Sequence, residues 1–290
     1  MRPLAADCAL VGLCVLALGC SAAGPAATVS SAVEWGTLSS SPLIVGRDGA
    51  ATAQLWGQEV WLFGDTFLSV SNAEGQNFIS NTFSISAASV DAGLTLADRL
   101  DDAGAPEALI VPTAAEAAFD LSHQSLLDSG CEQSPCGGRF ATWPSAGVFD
   151  PDDGGTALVF YQLISAAPGA DDFQGIGQGL AIWSDFDGLP LRPVLNLCDG
   201  GSPTALFCAD EPAYGEGAAL VGGGIYNFAC PQSGFDYPCQ LARVSIAQAL
   251  DKTAWQYWDG AAWSADLSRS KSLFDGAPIL SFFIDTHIGQ

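Results

Sequence analysis

The chain has 290 residues, with 32 acidic against 9 basic side chains and a formal net charge of −23. That excess repels nucleic acid and anionic lipid surfaces, so neither is expected as a partner. Charged residues make up only 14%, while Gly (33), Phe (16) and Trp (8) are plentiful; the profile excludes a disordered acidic tail and reads as loop-rich all-β with aromatic surfaces.

Residues 1–20 read as a lipoprotein signal peptide. Met1-Arg2 gives a positive start, and Leu10 to Leu18 an apolar stretch too short to span a bilayer. Ala17-Leu18-Gly19-Cys20 has the form of a lipobox, with Cys20 as the lipidated residue. Ala17 stands where Leu is usual, which leaves plain secretion as the alternative. Residues 21–34 form a small-residue tether without packing power, and 35–290 the folded domain. The expectation is an exported monomer in a bacterial cell envelope, touching the membrane only through its N-terminal lipid.

The domain opens with strand-like runs at Ala51–Trp56, Glu59–Phe63 and Phe78–Ala87. Two motifs frame the first pair: Gly46-Arg47-Asp48-Gly49 and Trp61-Leu62-Phe63-Gly64-Asp65-Thr66-Phe67. Asp65 closes an apolar strand, where a lone charge costs several kcal/mol unless it is paired. Two Asp beside Gly in one hairpin are the arrangement that acid/base cleavage of a glycosidic bond uses. The plainer alternative makes Asp48 part of an Asp-Gly turn and Asp65 a loop cap.

A second group of runs covers Ser145–Phe149, Thr156–Ser165, Gly177–Ser184 and Leu191–Leu195, and a third Glu216–Val221, Gly224–Ala229, Gln240–Ser245 and Trp255–Trp258. Short helices are expected at Ala114–Leu121 and Ile246–Leu250. Repetition every 60 to 75 residues or so predicts propeller blades, with a β-sandwich as the competing architecture. Pro278–Ile284 reads as the opening strand of a fourth group. Three groups and one strand do not close a ring, so the expected propeller is C-terminally incomplete.

Beyond the leader and Cys20, six Cys lie in close twos: Cys131/Cys136, Cys198/Cys208 and Cys230/Cys239. Their spacing favours three local disulfides over zinc, since none has C-x₂-C spacing and only His123 and His287 exist. No metal or cofactor is expected; turns such as Asp185–Gly188 read as solvated. No Gly-x-Ser-x-Gly elbow accompanies either His. Seven Arg, one of them in the leader, are too few for a sialidase cluster, and Gly175-Ile176-Gly177-Gln178-Gly179 lies inside a β pattern.

The two Asp motifs, with Phe78-Ile79-Ser80-Asn81-Thr82, resemble the first blade of the domain of unknown function 4185 family. Thr142-Trp143-Pro144, Leu180–Trp183, Leu241–Val244 and Tyr257-Trp258-Asp259-Gly260 extend the resemblance over about residues 35–290. That family is similar to five-bladed β-propeller glycosidases and includes the endo-D-arabinanases of glycoside hydrolase family 183. The resemblance implies a furanosidic polysaccharide, with D-arabinan first, as substrate, and Asp48 and Asp65 as the acidic pair. In the expected order of roles Asp48 is base or nucleophile, helped by Arg47, and Asp65 is the acid. Glu216 is the third carboxylate; Arg47, Asn81 and Trp143 are candidate substrate contacts. A non-catalytic carbohydrate-binding or scaffold propeller is the alternative function.

Overall fold

The computed structural model describes residues 40–87, 95–123, 131–150, 155–170, 172–277 and 280. Cys20, the leader, the tether and all but Leu280 of the expected strand Pro278–Ile284 lie outside them. The described chain is all-β with one α-helix, arranged as four antiparallel sheets, none of which closes on itself.

A long bent hairpin comes first. β1 (Ile44–Arg47) and β2 (Ala51–Leu55) form one arm, β3 (Gln58–Phe63) and β4 (Thr66–Leu68) the other. Register is kept across the bend: Ala51 opposes Leu62 and Arg47 opposes Thr66. The hairpin nevertheless feeds two sheets, β1-β4-β5 with β5 at Phe78–Ile79, and β2-β3-β6-β7 with β6 at Thr82–Ala87 and β7 at Ala97–Asp98. Burial along β2 alternates, with Ala51, Ala53 and Leu55 inside and Thr52 and Gln54 outside, as a two-residue period demands.

Two further meanders follow. β8 (Arg139–Asp150), β9 (Thr156–Ala166), β10 (Gln174–Trp183) and β11 (Ala205–Cys208) form one sheet in chain order. β12 (Gly217–Val221), β13 (Gly224–Ala229), β14 (Pro238–Ser245), β15 (Gln256–Trp258) and β16 (Trp263–Ser264) form the next, and β17 (Ser272–Asp275) pairs the other half of β14. The helix, α1 (Ala114–His123), lies against β8.

The β8–β11 sheet is covered on both faces. Phe160, Leu180 and Phe207 join Tyr214, Ile225 and Trp255 in one core. Val159, Ala181 and Trp183 join Leu55, Val60 and Phe83 in the other. This explains why β9 reads as a continuous apolar run, since strands buried on both sides lose polar alternation. Trp183 and Trp255 are almost fully buried; removing either ring costs about 3–5 kcal/mol.

β8 runs beside β2 on one side and β12 on the other. Small residues permit the approach: a Cβ on Gly147 would lie 2.9 Å from that of Ala53. These first strands enclose a hollow of about 420 Å³ lined by Ala51, Ala53, Ser145, Ala146, Ala218 and Leu280.

Two expected elements need correction. Leu191–Leu195 is no strand: only Leu191 bridges to Ile182, because Pro190 and Pro193 bring no N–H, and β11 takes the fourth place. At Ile246–Gln248 the chain makes a single 3₁₀ turn in place of a longer helix. The glycine-rich Gly175–Gly179 lies in β10, as expected. A Cβ on Gly179 would come within 2.1 Å of the Tyr161 ring directly across the sheet, which is why that position is bare.

Candidate active site at the bend of the first hairpin

The bend brings Asp48 and Asp65 together by backbone. The Asp48 N–H donates to the Asp65 carbonyl at 2.8 Å, and the Gly64 N–H to the Asp48 carbonyl at 2.8 Å. Gly64 and Asp65 therefore share one partner, in the manner of a β-bulge, a device that re-aims side chains. Gly49, at φ +63°, takes the left-handed conformation needed to leave the bend. The Asp48 side chain is exposed, and its Oδ1 accepts from the Gly49 N–H at 2.8 Å.

Asp65 is held from β8. Arg139 Nη1 donates to Oδ1 at 3.0 Å and Nη2 to Oδ2 at 2.6 Å, a two-point fork. Trp143 Nε1 adds a third donor to Oδ1 at 3.0 Å. Arg139 and Trp143 lie four positions apart on one strand and so share a face. The guanidinium sits 4.4 Å from the Phe78 ring centre and 4.8 Å from that of Phe173, which also meets Trp143 edge-on. The Arg139 and Asp65 side chains are only 9% and 14% exposed, so this is a largely desolvated pair.

Asp120 on α1 secures the same strand: its carboxylate accepts the Phe140 N–H at 2.6 Å. Burial pushes the Asp120 carboxyl up to about 6, against the Phe140 hydrogen bond and the nearby Arg139 charge, with Glu116 adding to the rise.

Arg47 is not where the sequence reading put it. Neighbours on an extended chain point to opposite sides. Arg47 turns away to Asp98 (2.5 Å) and Ser84 Oγ (2.8 Å), stacking over Phe63. The cation of the site is Arg139, 74 residues from Asp65. Asn81 is also reassigned. It is fully buried, with Oδ1 accepting the Ile110 N–H and Nδ2 donating to the Ile110 carbonyl and Thr142 Oγ1. Those bonds fasten the Ile110 loop to β8 and leave no group for a ligand.

Glu216 precedes β12, beside Gly215, whose carbonyl accepts Ser145 Oγ at 2.6 Å. Its carboxyl accepts the Cys230 N–H at 2.5 Å, and burial pushes it up to about 7. Among the described residues no hydrogen bond joins Glu216 to Asp48 or Asp65.

All three expected disulfides form, Cys131–Cys136, Cys198–Cys208 and Cys230–Cys239, with Cα separations of 5.5, 5.5 and 4.0 Å. They point to an oxidising, extracytoplasmic compartment. No helix among the described residues is long and apolar enough to cross a membrane.

No family model matches the chain, and no curated protein matches it. One solved structure similar to it is that of a "putative hydrolase" from Bacteroides ovatus, at 15% identity and a TM-score of 0.42. The likeness covers 76% of this chain, which spans about half (54%) of that protein. At that level it assigns neither fold nor reaction.

Proposed function

We propose that the chain is an exported glycoside hydrolase of furanosidic polysaccharide, D-arabinan first, built on β-propeller blades and tethered through Cys20. The observation that carries this reading is the Arg139-clamped Asp65 beside the exposed Asp48, under an aromatic wall of Trp143, Phe78 and Phe173. The meander sheets, each placing its first strand along one hollow, support the propeller.

The clamp reverses the expected roles. A guanidinium and an indole N–H are donors only, so both Asp65 oxygens act as acceptors toward Arg139 and Trp143. Asp65 is the fixed anion that faces the oxocarbenium-like centre, as nucleophile or as base for water. Asp48, exposed at the bend, is the acid that protonates the leaving oxygen. Glu216, raised to about 7 and so able to hold a proton near neutrality, is the second choice of acid. Trp143 offers its ring to a sugar while its N–H orients Asp65.

The test is release of reducing ends from a panel of arabinans by wild type, D48N and D65N. Loss in both variants, each still folded and melting cooperatively, supports the pair; retained activity in both sinks it. A non-catalytic glycan-binding propeller is the second reading, favoured by the three protein donors already engaged on the Asp65 carboxylate. It predicts retention on the same arabinans with no release of ends by wild type.

A further inference from the structure

In an acid-rich chain every cation should find a carboxylate, and almost every arginine does. Of the six arginines among the described residues, Arg47, Arg99, Arg139, Arg192 and Arg269 each form an ion pair. Arg243 is the exception. It stands on β14 between Tyr226 of β13 and Gln256 of β15, its direct cross-strand partners, so all three side chains share one face of the β12–β16 sheet. Its Nε donates to Gln256 Oε1 at 3.0 Å, and its Cζ lies 4.2 Å over the Trp263 ring. Two contacts therefore fix the plane of the guanidinium, while Nη1 and Nη2 have no partner among the described residues.

That open fork borders a hollow of about 390 Å³ lined by Gly222, Gly223, Tyr226, Arg243, Gln248 and Gln256. The Gly222-Gly223 turn, with φ of +57° and +77°, is the two-residue hairpin that left-handed residues allow. Ideal Cβ atoms at both positions would meet nothing within 4 Å. The wall is therefore open, polar and set beside one uncompensated charge.

We propose that Arg243 anchors a second ligand site, separate from the Asp48–Asp65 pair, which takes the carboxylate of a small acidic ligand. A planar guanidinium fork held in place matches a carboxylate at two points, and its ordering entropy is already spent by Gln256 and Trp263. The net charge of −23 weighs more against a dianion such as phosphate than against a monoanion, so the carboxylate fits better. Tyr226 and the two glutamines suit the hydroxyls of an acidic sugar.

Titrating sodium D-glucuronate into the full protein, followed by arginine Nε–H NMR and calorimetry, tests this. Saturable binding is expected with Kd on the order of 1 mM, a value typical of one two-point contact with few neighbours. R243Q should weaken it at least tenfold; R243K should fall between, because an ammonium lacks the fork. R269Q removes an equal charge elsewhere and should change nothing. Gly222→Asp sets a competing carboxylate on the hollow's wall, at a left-handed position Asp tolerates, and should abolish binding without touching Arg243 packing, so the test survives if R243Q fails to fold. Sodium acetate separates a bare carboxylate site, where it binds as well as glucuronate, from an acidic-sugar site, where it binds at least fivefold more weakly. No saturation, equal binding of D-glucose, tighter binding of inorganic phosphate, or an R269Q loss equal to that of R243Q would overturn the proposal.

Discussion

Asp65 and Arg139 are two charges largely out of water that satisfy one another. Breaking such a pair from one side strands the remaining charge, at a cost of about 3–5 kcal/mol. Arg139→Met should therefore destabilise strongly in urea unfolding. Asp65→Asn, which keeps two polar atoms near the guanidinium, should cost less. The double variant should recover part of the sum, with a coupling of roughly 1–3 kcal/mol; additive losses would mean that the pair is not the unit drawn above. Sequence reading named Asp48, Asp65 and Trp143 from local motifs, and the structure brings the three together at one bend. It assigned Arg47 by adjacency along the chain, when alternation along an extended strand already turns that side chain away. No residue near Asp65 announces Arg139, whose placement is a product of the β8 path. Asn81 stood in a motif, yet its amide is spent on the Ile110 loop and Thr142, a long-range demand that local spacing does not reveal.

At the scale of elements, strands and disulfides followed from period and spacing because both are set within a few residues. The fourth strand of the β8–β11 sheet did not: Leu191–Leu195 has the apolar content of a strand, but Pro193 brings no N–H and the Leu195 N–H goes to the Pro203 carbonyl, so only Leu191 meets Ile182 and Ala205–Cys208 pairs in its place. Gly179 in β10 is explained by what lies across from it. Gly179→Ala should cost at least about 2 kcal/mol, since its methyl would overlap the Tyr161 ring, itself held by a hydrogen bond from Arg192. Pairing it with Tyr161→Leu should restore part of the loss, as read from thermal melting. If Gly179→Ala alone melts with wild type, the close approach of β9 and β10 is wrong. The Cys230–Cys239 bridge closes the β13–β14 hairpin with a sequence separation of 9, so replacing both Cys by Ala should cost at most about 3 kcal/mol.

For the molecule as a whole, acidity shapes stability through a few buried carboxyls more than through the surface excess. Glu216 is raised from 4.5 to about 7 and Asp120 from 3.8 to about 6, both through burial first. A carboxyl whose folded pKa lies above its unfolded one binds more protons folded than unfolded, so stability falls as pH rises between the two values. For Glu216 that window runs from about 4.5 to 7 and is worth up to about 3 kcal/mol; for Asp120 it runs from about 4 to 6. Self-repulsion within a chain of charge −23 acts in the same direction. Asp251 and Asp266 are lowered by hydrogen bonds from Thr253 and Ser268, and Asp259 by those from Ala262 and Ala261, so their support is lost only as pH falls below the usual carboxylate range. Urea midpoints should therefore peak near pH 4–5 and decline toward pH 7. Glu216→Gln cannot ionise, and should flatten the decline between pH 5 and 7 while leaving the acid limb unchanged. Asp120→Asn should flatten the lower part of that window only. A wild-type midpoint that rises from pH 5 to 7, or a Glu216→Gln slope equal to that of wild type, would show that Glu216 reaches water and holds no proton near neutrality, removing it as a second choice of acid.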